Sequence, residues 1–177
     1  MSKSIKKSEL KKFIRDIPDF PKEGIVFKDI TTLLKSDVAF KKSVDIMAKK
    51  FKNEGIKYVV GVEARGFIFG AALAYKMGVG LIPIRKKGKL PAKTNRITYD
   101  LEYGTDTLEI HADALEKGDK VLIVDDLLAT GGTIKAVVDL VKGQGADIAA
   151  LAFLVELRFL KGKNKLKDLD IYSIIKY

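Results

Sequence analysis

Apolar residues along this chain of 177 residues change period several times, and each change marks an element. Tyr58-Val59-Val60-Gly61-Val62 is a short continuous apolar run, the pattern of a strand buried on both faces. Glu63-Ala64-Arg65-Gly66 breaks it, and Phe67 to Met77 reads as a helix closed by Gly78. Leu81-Ile82-Pro83-Ile84, Lys120 to Val124, Ile148 to Val155 and Leu169 to Ile175 are further strand runs. Helical spacing recurs in Phe40, Val44, Met47, Ala48 and Phe51, with Ser36 and Asp37 as cap candidates and Gly55 as the stop. It recurs again in Ile134, Val137, Val138 and Val141, on a helix expected over Gly132 to Lys142.

Strands alternating with helices predict an α/β fold with a mostly parallel central sheet flanked by helices. Ligands in such sheets sit beyond the carboxyl ends of the strands, so the turns after Val62, Ile84 and Val124 are where chemistry is expected. No repeat or Ser/Gly/Pro linker divides the chain, which reads as one domain over 1–177. Two stretches lack a period. Ser4 to Arg15 reads as a short amphipathic helix, but Pro21 to Thr32 after it shows none. Arg85 to Asp106 is polar and basic, and a connection of that length in a compact domain is commonly functional or mobile.

Composition narrows the chemistry. With no cysteine there are no disulfides or thiolate ligands, and the single His111 leaves little for an imidazole-built metal site. Any divalent ion is expected to be held by oxygens. The longest apolar run, Ile148 to Val155, falls far short of the roughly 20 residues a membrane span needs, and the Lys-rich N-terminus precedes no apolar leader. A cytoplasmic protein is expected. A net charge of +10 suits a polyanion or a highly phosphorylated small substrate, although scattered surface lysines explain most of it.

The most specific stretch is Val121-Leu122-Ile123-Val124-Asp125-Asp126-Leu127-Leu128-Ala129-Thr130-Gly131-Gly132-Thr133. Its glycines let backbone approach a ligand closely, and N–H groups at a helix start favour an anion such as a monophosphate. No lysine follows the glycines in the manner of a nucleotide-triphosphate loop. Gly143-Gln144-Gly145 closes a helix and is read as its C-cap. Two carboxylates at a strand end repel one another and cost desolvation energy, so solubility alone does not explain Asp125 and Asp126. They fit a ribose 5-phosphate, with hydroxyls facing the acids and phosphate on Ala129 to Thr133.

This stretch resembles the phosphoribosyl-pyrophosphate (PRPP) motif of the type I phosphoribosyltransferases. Phe20 to Ile30, Glu63 to Phe67, Ile84 to Pro91 and Leu101 to Gly104 resemble, in order, segments of the adenine-using members of that family. The likeness runs in register from about Ile14 to Glu156. It implies the family fold with a small N-terminal base-binding hood in 1–34 and a flexible catalytic loop in 85–106. It also implies conversion of adenine and PRPP to AMP and pyrophosphate, with Mg2+ held mainly by PRPP and water, in a homodimer.

By the same resemblance, Arg65 and its turn hold pyrophosphate, with a non-proline cis peptide at Glu63-Ala64. Arg85, Lys86 and Lys89 add positive charge at the ligand edge. Glu102 is the general acid/base on the loop and Tyr103 contacts the phosphate region. The backbone of Val26 and Lys28 reads the edge of adenine, with Phe27 on one face and Leu127 on the other. Lys28 stands where arginine is usual, which puts any side-chain contact there in question. Two alternatives are a phosphoribosyltransferase for hypoxanthine, guanine or xanthine, and a PRPP-sensing regulator that binds nucleic acid. The second lacks a helix-turn-helix candidate and has no need of Glu102, so a nucleic-acid partner is not expected.

Overall fold

The computed structural model describes residues 5–100 and 104–177. Its centre is a seven-stranded sheet in the order β5-β6-β4-β3-β7-β8-β9. Strands β3 (Tyr58–Val62), β4 (Gly80–Lys86), β7 (Lys120–Leu128), β8 (Asp147–Glu156) and β9 (Ile171–Lys176) run parallel. β5 (Thr94–Asp100) and β6 (Thr105–His111) form an antiparallel hairpin on the β4 edge. A separate two-stranded ribbon pairs β1 (Arg15–Ile17) with β2 (Phe27–Asp29), behind a 3-10 helix over Lys7–Phe13.

Alternation of side chains along the parallel strands builds two cores. Val59, Leu122, Val124, Ala150, Ala152 and Leu154 point to one face, where they meet α2 (Asp37–Phe51) and α3 (Gly66–Met77). Val60, Val62, Val121, Ile123, Leu151 and Phe153 point to the other and meet α4 (Gly132–Gly143). The short α1 (Thr31–Lys35) leads into α2, whose N-cap Ser36 accepts a hydrogen bond from the Ala39 N–H at 3.3 Å. α3 stops where Gly78 takes a left-handed conformation, as expected.

The chain crosses from β3 through α3 to β4 on one side, and later from β7 through α4 to β8 on the other. The order therefore reverses between β3 and β7, the crevice where parallel sheets bind ligands. Arg65 follows β3, and the Asp125 to Thr133 stretch closes β7 and opens α4. No helix among the described residues is long and apolar enough to cross a membrane.

Three stretches of the chain differ from the pattern-based expectation. β7 continues through Leu128, because β8 is long enough to pair Leu127 with Val155 and Leu128 with Glu156. Asp125 and Asp126 therefore belong to the strand, not to a connection. Within 85–106, residues 85–86 complete β4 and residues 94–100 and 105–106 are also strand, where sequence had suggested only an aperiodic loop. Exposed Thr, Asn and Arg positions along β5 leave only Ile97 and Tyr99 to carry an apolar signal. The ribbon and α1 likewise occupy part of the segment that showed no period.

Candidate active site

Gly131, the N-cap of α4, has φ of 80°, and the chain from Ala129 to Thr133 curls around a recess of about 80 Å³. Asp125 and Leu127 line the same recess. The N–H groups at the start of α4 and the positive end of its dipole make this an anion cradle. Tyr99 of the hairpin reaches over it, its hydroxyl 3.3 Å from that of Thr133.

The acid pair lies beside the cradle. The Asp126 N–H donates to Asp125 Oδ1 at 2.8 Å. Asp125 Oδ1 packs beneath the start of α3, where a Cβ on Gly66 would come within 2.7 Å of it. Burial, reinforced by the charge of Asp126, raises the Asp125 carboxyl well above the ordinary carboxylate range. Burial also raises Asp126, opposed by Arg65, whose Nε lies 2.9 Å from Asp126 Oδ2. That oxygen is buried without a well-aligned hydrogen-bond donor. The pair is thus a pocket of under-compensated negative charge, suited to a ligand that brings hydroxyl donors or positive character.

Arg65 joins two parts of the site. It caps α3 directly after β3, and its turn contains the cis peptide Glu63-Ala64 that the resemblance implied. Its guanidinium carbon lies 5.2 Å from the centre of the Phe27 ring. Phe27, half-buried, also meets the Phe20 ring edge-on at 5.2 Å. The N-terminal ribbon consequently faces the carboxyl ends of the sheet instead of dissolving into the core. Val26, just before β2, is exposed.

Arg85 and Lys89 gather on Glu63. Its carboxylate accepts from Lys89 Nζ at 2.9 Å, from the Lys86 N–H at 2.9 Å and from Arg85 Nη2 at 3.4 Å. Arg85 Nη1 in turn donates to the Lys89 carbonyl at 3.1 Å. Lys86 Nζ pairs with Asp106 at 3.2 Å. Burial by itself would raise the Glu63 carboxyl, but these donors outweigh it and bring the pKa down to about 2. Sequence reasoning treated Glu63 only as part of a turn. Its place at the end of β3, next to the Arg65 turn, was the available signal.

Lys28 turns its side chain away from the Phe27 ring, towards Asp16 at 2.8 Å and over the Tyr177 ring at 4.2 Å. The Lys28 side chain is therefore engaged by the ribbon and by the residue that follows the last strand. Glu102 and Tyr103 lie outside the described residues. Among the described residues, no group of three or more His, Asp or Glu side chains gathers to hold a metal.

A parallel sheet with an acid pair and a glycine cradle at its switch point defines a protein that handles a phosphorylated sugar. The chain belongs to the phosphoribosyltransferase family: the phosphoribosyl transferase domain model matches residues 29–176. Within that family its relatives are adenine phosphoribosyltransferases. That of Geotalea uraniireducens is 59% identical over 96% of this chain and 99% of its own length. That of Acidobacterium capsulatum is 56% identical over 98% of this chain and 96% of its own. The crystal structure of the Thermoanaerobacter pseudethanolicus protein superposes with a TM-score of 0.94 at 53% identity, covering 97% of this chain and all of that one. The Saccharomyces cerevisiae protein, solved with an imino-altritol bisphosphate and adenine, gives 0.90 at 40% identity, covering 95% of this chain and 97% of that one.

Proposed function

We propose that the chain transfers the phosphoribosyl group of PRPP to adenine, giving AMP and pyrophosphate, as a purine salvage enzyme. The observation that carries this reading is the meeting of acid pair, glycine cradle and Arg65 at one switch point, with Phe27 stacked against the same guanidinium. The 5-phosphate rests on the N–H groups of Ala129 to Thr133. Asp125 and Asp126 accept hydrogen bonds from the ribose hydroxyls. The bond from the sugar's anomeric carbon to the pyrophosphate oxygen breaks as adenine N9 bonds to that carbon. Negative charge grows on the leaving group and positive character on the ring, so Arg65, Arg85, Lys86 and Lys89 face the former and the acid pair favours the latter.

Adenine lies between Phe27 and Leu127, its edge read by the backbone of Val26 and Lys28. Glu102 takes and returns the purine proton, and Tyr103 contacts the phosphate region, on a loop that excludes water from the activated sugar. Under-compensated carboxylates fit a ligand carrying a cation, and Asp126 Oδ2 lacks an aligned donor. Magnesium would be held mainly by PRPP and water, and when bound would supply charge neutralisation at the diphosphate. A second copy covering exposed Ile68, Tyr75 and Leu81 makes the working unit a homodimer. We place the reaction in the cytoplasm, since charged PRPP crosses no bilayer unaided.

The test mixes purified protein with PRPP, magnesium and a panel of nucleobases and follows nucleotide formation. Adenine is converted. Conversion of hypoxanthine or guanine instead would reassign the base, and no conversion would end the enzyme reading. Glu102→Ala lowers turnover about a hundredfold while leaving the KM for PRPP within a few-fold. Equal losses in both would remove Glu102 from the chemistry.

A further inference from the structure

The Lys-rich segment from Lys161 to Lys167 shows no apolar period in sequence, yet it packs beneath the phosphate cradle. After β8 the Leu157 N–H donates to the Leu128 carbonyl at 2.9 Å, keeping the two chains side by side. Two 3-10 turns follow, Arg158–Leu160 and Gly162–Lys165. Leu166, 2% exposed, then enters the core that also holds Ile134, Val137 and Phe153. Lys163 pairs with buried Glu156 at 3.5 Å. The turn is thus pinned to β7 and β8, and to the core under α4.

Gly162 is the point of contact with the cradle. A Cβ on Gly162 would lie 2.2 Å from the Ala129 carbonyl oxygen and 3.1 Å from the Gly131 nitrogen. Reciprocally, a Cβ on Gly131 would lie 2.5 Å from the Gly162 carbonyl oxygen. These are backbone atoms, which cannot swing aside as a side chain would. The φ of Gly162 lies outside the left-handed range, so its conformation is open to any residue. Close approach alone demands glycine there, whereas Gly131 needs it for both its φ of 80° and the contact.

We propose that Gly162 is a positioning residue for the reaction: the 161–165 turn is the floor on which Ala129 to Gly131 rest, and it sets where their N–H groups meet the sugar phosphate. The proposal rests on the assignment of that loop to the 5-phosphate. An added methyl must gain about 0.8 Å to bring its 2.2 Å contact to a tolerable 3.0 Å. With the turn pinned on three sides, much of that movement passes to the cradle. Misplacement on the ångström scale costs up to about a hundredfold in a reacting complex.

The test is steady-state kinetics of Gly162→Ala with both substrates varied, beside Gly143→Ala, whose new methyl meets no neighbour within 4 Å. For Gly162→Ala the KM for PRPP rises about tenfold to a hundredfold, while that for adenine stays within about threefold. Gly143→Ala changes neither. Should Gly162→Ala not fold, Leu166→Val loosens the anchor by one methylene and gives a weaker form of the same split, the KM for PRPP rising about fivefold while that for adenine does not change. A PRPP KM unmoved in the folded variant, or both KM values rising together, overturns the proposal. Gly131→Val separates the two claims. If it too leaves PRPP binding intact, the phosphate assignment fails; if it abolishes binding while Gly162→Ala does nothing, only the floor fails.

Discussion

Replacing Glu63 by glutamine removes one charge from the junction that holds three basic residues at the end of β4. The amide oxygen of the new side chain can still accept from the Lys86 N–H, but it gives Lys89 and Arg85 no counter-charge. The side chain of Glu63 is only 9% exposed. Its pKa falls from 4.5 to about 2, which sets a ceiling of roughly 3 kcal/mol. Lys89 is half-exposed and water screens it, so about 1–2 kcal/mol is the expected loss at neutral pH. A depressed carboxyl pKa means that the folded chain binds fewer protons than the unfolded one between 4.5 and about 2. The stabilisation is therefore full above 4.5 and drains away as pH falls through about 2. Urea unfolding of wild type and Glu63→Gln, compared at about pH 7 and about pH 3, reads the difference directly. The deficit at about pH 3 falls below half its neutral value. An equal deficit at both pH values would mean that Glu63 acts by shape or packing, and its electrostatic role would be refuted.

Two further changes probe the acid pair and the ribbon. Asp125→Asn keeps an acceptor for the Asp126 N–H but cannot ionise. Because burial raises the native Asp125 carboxyl, wild-type stability declines as pH climbs from 3.8 through that raised value. The variant escapes this decline, so its thermal midpoint gains on wild type as pH rises above 3.8, while kcat/KM for PRPP falls. A stability difference independent of pH would contradict the assignment. Lys28→Met removes the bond to Asp16 and the charge over Tyr177, costing about 1 kcal/mol of stability. It leaves the adenine-to-hypoxanthine ratio of kcat/KM within about threefold, and a tenfold shift would show that the lysine side chain reads the base.

How much of this was legible in sequence follows from burial. β3, α3, β8 and α4 carry long apolar runs or a clear stripe because two packed layers cover them, and their bounds in the structure lie close to the pattern. The hairpin left little trace because Asn95, Arg96, Thr98 and Asp100 of β5 are exposed and polar. β7 was read short because acids at a buried strand's end look like a turn until the length of β8 is known. Arg65, Asp125, Asp126 and Ala129 to Thr133 converge as expected because strand ends and helix starts are local features. The clustering of Arg85, Lys86 and Lys89 on Glu63, and the contact of Gly162 with Gly131, arise between segments distant in sequence. A lone glycine among lysines gives no sign of what it will touch.

The site is poised against itself, and that tension suits the proposed reaction. Two carboxylates are held where burial disfavours their charge, with Arg65 in an ion pair with only one of them. The same arginine also stacks on Phe27, so the acid pair and the ribbon share a single cation. A ligand offering sugar hydroxyls satisfies the acids, and positive character growing on the ribose ring relieves them more in the transition state than in the ground state. On the proposed reading, negative charge next to an anion cradle is costly in the resting protein because it serves a substrate whose phosphate and sugar carry opposite demands. That cost also explains why Asp125→Asn is expected to gain stability as it loses activity.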